Sequence, residues 1–136
     1  MNLTGFDHRR SRFAAVFAMA AALIAQARGG IAETDYIPMG AAVMQIMNKQ
    51  AGKTYSVLAP VGEKVKFGKV DIVVRKCLGV DEFRPEDYYA FVQVSKGDAG
   101  IFSGWMDRNE PGKNPLTDPD YDLWLVRCEQ TEASAE

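Results

Sequence analysis

The chain is 136 residues long, 47% hydrophobic and 25% charged, with 16 Lys and Arg against 18 Asp and Glu for a formal charge of −2. These proportions describe one globular domain and exclude a collagen-like or low-complexity chain, a multi-span membrane protein and a strongly basic nucleic-acid binder. A single histidine and two cysteines narrow the accessible chemistry further.

Residues 1–32 read as a secretory leader. His8, Arg9, Arg10 and Arg12 make a positive start, residues 13–27 an apolar run broken only by Gln26, and Ala25-Gln26-Ala27 and Gly30-Ile31-Ala32 offer two small-residue cleavage sites. A bilayer span takes about 20 apolar residues, so the run is short for a transmembrane helix, with an uncleaved anchor as the alternative. Arg12 stands where a twin-arginine signal wants a large apolar residue, which favours general secretion, and no cysteine near the cleavage region is there to carry a lipid.

Removal of this leader takes away four arginines and Asp7, leaving 12 basic against 17 acidic groups from Glu33 onward, a net charge near −5. Such a chain has little with which to neutralise phosphates, so neither nucleic acid nor an anionic membrane surface is an expected partner, and no membrane insertion is expected after cleavage. His8 departs with the leader as well. Ser-His-Asp and Cys-His catalysis, His-ligated zinc and imidazole switching are thereby closed to the remainder.

Downstream, residues 33–40 are short, polar and contain Pro38, and are expected to be loose. Residues 41–49 mix helix-favouring Ala, Met, Gln and Lys between Gly40 and Gly52; hairpin spacing selects a strand pairing with residues 54–58, with a helix as the alternative. Lys64-Val65-Lys66-Phe67 alternates polar with apolar, Gly68 marks a turn or bulge, and Val70, Ile72 and Val74 line one face of the next strand. Arg84-Pro85-Glu86-Asp87 suits one helical turn, with proline first and acids behind it.

Residues 88–95, YYAFVQVS, are aromatic and β-branched; Lys96-Gly97-Asp98 turns the chain into residues 101–106, and residues 121–128, YDLWLVRC, form the last strand. Residues 129–136 carry no apolar anchor and are expected to be a loose tail. The fold class is therefore all-β: a compact sandwich or barrel of about seven short antiparallel strands over residues 41–128. Cys77 and Cys128, even in number and in an exported chain, are expected to form one disulfide between the fourth of these strands and the last. Redox pairs usually lie close together as C-x-x-C, and these do not.

Pro60-Val61-Gly62-Glu63, Phe67-Gly68, Val74-Arg75-Lys76-Cys77, Ala90-Phe91, Phe102-Ser103-Gly104-Trp105-Met106, Pro119-Asp120-Tyr121-Asp122-Leu123-Trp124 and Arg127-Cys128 together resemble the DUF2155 family of exported alphaproteobacterial proteins. The F-S-G-W-M block and the closing Y-D-x-W-x-x-x-C are the most specific parts. The resemblance implies a periplasmic setting and a bridged fold, and brings no catalytic residues with it.

Motif searches return little. Gly52-Lys53-Thr54 resembles the end of a phosphate-binding loop, but the glycine required five residues before Gly52 is Met47, which leaves a hairpin turn. Asp118, Asp120 and Asp122 alternate like the start of a calcium loop, yet its sixth position, ordinarily glycine, is Leu123; Asp-Pro-Asp more often opens a turn. No metal and no cofactor is expected.

What remains is the connection from Asp107 to Asp120, with three prolines and Gly112, next to aromatic residues. Phe91, Phe102 and Trp124 are expected in the core, whereas Tyr88 and Trp105, at strand ends, are surface candidates. The expected binding set is Trp105, Tyr88, Tyr89, Met106, Asp107 and Arg108. It suits a non-catalytic periplasmic binding or adaptor module docking an envelope protein, or alternatively a carbohydrate or peptidoglycan-binding module. A two-carboxylate glycan hydrolase drawing on Asp107, Glu110, Asp118 and Asp120 is the weakest option, because a proline-rich loop holds acids poorly.

Overall fold

The computed structural model describes residues 35–80 and 86–131. The leader, the Arg84-Pro85 helical start and the end of the tail lie outside the described residues. Within them the chain forms eight strands: β1 Ile37–Met39, β2 Ala41–Asn48, β3 Lys53–Pro60, β4 Lys64–Phe67, β5 Val70–Gly79, β6 Tyr88–Lys96, β7 Ala99–Asp107 and β8 Tyr121–Glu129. Among the described residues no helix is long and apolar enough to cross a membrane.

Two antiparallel sheets face each other as a sandwich. One runs β1-β5-β6-β7, with β4 also paired to β5; the other runs β3-β2-β8. Residues 41–48 are thus a strand, hairpinned to β3 in the register Ala41↔Pro60 to Asn48↔Lys53. The helix-favouring residues yield because Ala42, Met44 and Ile46 are completely buried, and only a strand presents that alternate set to one side. The turn that follows holds Gly52 at φ +63° and is fastened by Asn48 Oδ1, which accepts from the N–H groups of Gln50 and Ala51.

β1 is the strand beyond the expected seven. Ile37, Pro38 and Met39 pair with Gly79, Leu78 and Cys77, so part of the segment read as loose is fastened to the sheet edge, where a proline is tolerated. At the other end, Glu129 is still a ladder residue, opposite Ala41.

The core lies between the sheets: Val70, Ile72 and Val74 of β5 and Ala90, Val92 and Val94 of β6 against Met44, Ile46, Leu123 and Leu125. A strict period of two would turn Cys77 and Cys128 outward. Each strand breaks the period once, since Arg75 is an extra residue between Val74↔Val92 and Lys76↔Phe91, and Val126 one between Met44↔Leu125 and Val43↔Arg127. After the two bulges both cysteines point into the core and form the Cys77–Cys128 disulfide, with 5.7 Å between their Cα atoms.

The connection from β7 to β8 travels the length of β6. It leaves from Arg108, whose N–H donates to Tyr88 O, and arrives at Asp118 and Asp120, both paired with Lys96. On the way Leu116 drops into the core at 4% exposure.

Candidate functional site

Cross-strand pairing sets what the outer face of the larger sheet presents, because residues opposite each other share a face. Phe91 lies opposite Trp105 on one side and Lys76 on the other, and Tyr89 opposite Asp107 and Leu78. Their neighbours Ala90, Val92 and Val94 are buried, so alternation directs Tyr89 and Phe91 outward. Phe91 and Trp105 meet edge to face, with centroids 5.5 Å apart and rings inclined at 73°, and Trp105 is 44% exposed. Tyr36 extends the aromatic row with an edge contact to Tyr89 at 5.9 Å.

A polar row runs beside it: Arg75 Nε donates to Gln93 Oε1 at 2.7 Å and Gln93 Nε2 to Ser103 Oγ at 3.5 Å. The connecting loop borders this face at one end. Asn114 Nδ2 donates to Trp105 O at 3.1 Å, and Lys113 is held above its usual pKa by Glu110, with smaller help from Asp107.

Of the six expected binding residues, Trp105, Tyr89 and Asp107 share this face. Met106 points the other way and is 5% exposed, within the core, and Tyr88 is partly buried against that core. The alternation of β7 and β6 requires this, since neighbours in a strand face opposite ways. The Arg108 guanidinium ties neighbouring segments together: Nε donates to Val126 O at 2.9 Å and Nη1 to Glu86 O at 3.1 Å. Among the three aromatics expected in the core, Phe102 packs against it, but Phe91 and Trp124 stand on outer faces.

Trp124 opens a second feature. Its indole N–H is held by Gln45 Oε1 at 3.1 Å, and with Pro111, Pro115, Leu116 and Asp122 it lines a shallow groove of about 340 Å³ between β8 and the loop.

Among the loop acids, Asp118 and Asp120 are far more constrained than free surface charges. Lys96 Nζ contacts Asp120 at 2.6 Å and Asp118 at 3.3 Å, while Lys49 pairs with Asp122 at 2.9 Å. Burial works against the charged form of Asp118. The Asp120 N–H, the Lys96 ammonium and the Tyr121 N–H overcome it and hold the carboxyl below its ordinary value. Asp120 is lowered chiefly by Lys96 and further by Gln50, and Lys96 is raised by Asp120 first, with partial burial opposing and Asp118 adding. These acids close the loop onto β6, and among the described residues no group of three or more His, Cys, Asp or Glu is placed to hold a metal ion.

The architecture is thus that of a small disulfide-bridged β-sandwich with an aromatic face on its larger sheet. The chain matches, over residues 42–128, the profile of the family described as an uncharacterized protein conserved in bacteria, DUF2155, and it belongs to that family. No curated protein and no solved structure matches it.

Proposed function

We propose that this is a non-catalytic binding module, exported to the periplasm of an alphaproteobacterium through a cleaved leader, which docks a protein of the cell envelope on the outer face of the larger sheet. The observation that carries the reading is the exposed Trp105 set edge to face on Phe91, in one row with Lys76. Exposed aromatics on a rigid sheet are effective anchors, because they bury a large area at little entropic cost. Rings inclined at 73° present one edge and one face, not the coplanar platform on which a row of sugar rings would stack. The leader and the buried disulfide support an oxidising compartment.

Purification of the tagged protein after cross-linking in cells tests this. The partner is expected with wild type and with Thr54→Ala, on β3 in the other sheet, and is lost with Trp105→Ala. An empty eluate in all three would sink the reading.

The groove beside Trp124 favours a second reading, a cell-wall glycan seated on the indole with Asp122 at its rim. Tryptophan fluorescence titrated with cell-wall fragments should then respond in wild type and in Trp105→Ala, and be silent in Trp124→Ala. A silent wild-type titration removes it.

A further inference from the structure

Part of the positive charge of this net-acidic chain gathers on one face. Lys49, Lys96, Arg108, Lys113 and Arg127 each have a carboxylate within ion-pairing distance. Lys53, Lys64, Lys66, Lys69, Arg75 and Lys76 are exposed and make no ion pair among the described residues, and four of the six, Lys64 and Lys66 of β4 and Arg75 and Lys76 of β5, lie on two neighbouring strands. The register puts three of them on the outer face of the larger sheet, with Lys64 opposite Val73, Lys66 opposite Asp71 and Lys76 opposite Phe91. The Arg75 guanidinium reaches Gln93 on that same face. Asp71, across from Lys66, makes no ion pair with it.

Four cations without an ion-pair partner share this face with exposed Trp105, half-buried Phe91 and, among the described residues, only two carboxylates, Asp71 and Asp107, and on a molecule whose total charge is negative they form a polarised surface. It attracts an anionic group while the rest of the molecule repels it, and so selects orientation as well as partner. We infer that the occupant of this face is an acidic segment of the protein partner, its carboxylates paired with Lys64, Lys66, Arg75 and Lys76 and an apolar side chain seated on Phe91 and Trp105. This rests on the reading that the face docks a protein. A sheet face suits an extended segment, whose alternate side chains reach neighbouring cross-strand rows.

A carbodiimide that joins a carboxylate to an amine only at ion-pair contact tests the chemistry directly. Applied to cells making the tagged full chain, it is expected to give amide links from Lys64, Lys66 or Lys76 to Asp or Glu of a protein, identified at both ends by peptide mass spectrometry. Lys76→Arg should keep the partner but lose the link at that position, since the guanidinium binds and does not react. Lys64→Glu with Lys76→Glu should reduce capture at least tenfold, and raising salt should weaken it.

Links carried by Lys49 or Lys113 instead, or links to the carboxylates of cell-wall peptides, would overturn the inference. So would Trp105-dependent capture that survives the double charge reversal, which leaves the docking reading standing; absence of any capture refutes that reading itself.

Discussion

The Arg108 guanidinium donates through Nε to the main-chain carbonyl of Val126, 2.9 Å away, and so ties the end of β7 to the bulged residue of β8. A bulge leaves one residue out of the ladder, and its carbonyl must find another donor. Arg108→Ala removes that donor together with the bonds to Glu86, and is expected to cost about 1 to 3 kcal/mol in urea unfolding. Arg108→Lys should recover only part, because a single ammonium cannot serve Val126 and Glu86 in the fixed geometry of the planar guanidinium. If Arg108→Ala unfolds like wild type yet loses the partner, the residue is a contact and not a tie.

Cys77 and Cys128 are 1% and 3% exposed, and their bridge closes a separation of 51 residues. Cross-linking over that length restricts the unfolded chain by up to about 4 kcal/mol. Folded protein should resist a mild reductant, because thiolate attack needs access to a sulfur, and should lose the bridge once denaturant opens the core. Intact mass then rises by about two hydrogens, one for each sulfur freed. The double variant Cys77→Ala, Cys128→Ala should show a lower urea midpoint, and a midpoint equal to wild type would remove the bridge from the account of stability.

The all-β class, the cysteine pairing and the positions of most strands are legible in the sequence because they rest on local alternation and on a count of two cysteines. The same alternation also fixes which aromatics face outward. With Tyr121, Leu123 and Leu125 on one side, Trp124 must face the other, and Ala90 and Val92 likewise turn Phe91 outward. Cys77 is out of phase with Val70, Ile72 and Val74, as Cys128 is with Tyr121, Leu123 and Leu125; that mismatch is the trace of the two bulges. The closure of the loop on Lys96 leaves no such trace, since it joins residues 22 and 24 positions apart through the hairpin. A strand as short as Ile37–Met39 is likewise defined only by the edge it meets.

The Lys96, Asp118 and Asp120 cluster gives stability two pH limits. Asp118 and Asp120 are lowered in the folded state, so their contribution is complete above the ordinary carboxylate range, near 4, and is lost as pH falls through their depressed folded values. Lys96 is raised, so its contribution is complete below the ordinary lysine value and is lost as pH rises through the higher folded one. Thermal melts should show a plateau between these limits, and Asp118→Asn should flatten the acid side while keeping acceptors for the Asp120 and Tyr121 N–H groups. Asp118→Ala forfeits those bonds as well and is expected to lower Tm by roughly 5 to 10 °C. An acid limb unchanged in Asp118→Asn would show that other carboxylates set it.

Gly68 and Tyr121 form a close contact that a double-mutant cycle can measure. Gly68 has φ +55°, and a Cβ placed on it would overlap the Tyr121 hydroxyl oxygen and lie 3.3 Å from Cζ. That hydroxyl accepts the Lys69 N–H at 3.2 Å and so fixes the β4-β5 turn against the start of β8. Gly68→Ala thus combines a left-handed backbone cost with a steric one, about 1 to 3 kcal/mol together. Tyr121→Phe alone costs the acceptor of Lys69, about 1 kcal/mol. In the double variant the worst overlap is gone and the hydroxyl cannot be lost twice, so the combined cost should fall short of the sum by at least about 0.5 kcal/mol. Additive costs would show that the turn moves away from Tyr121 when Gly68 is replaced, and that the contact does not hold the turn in place.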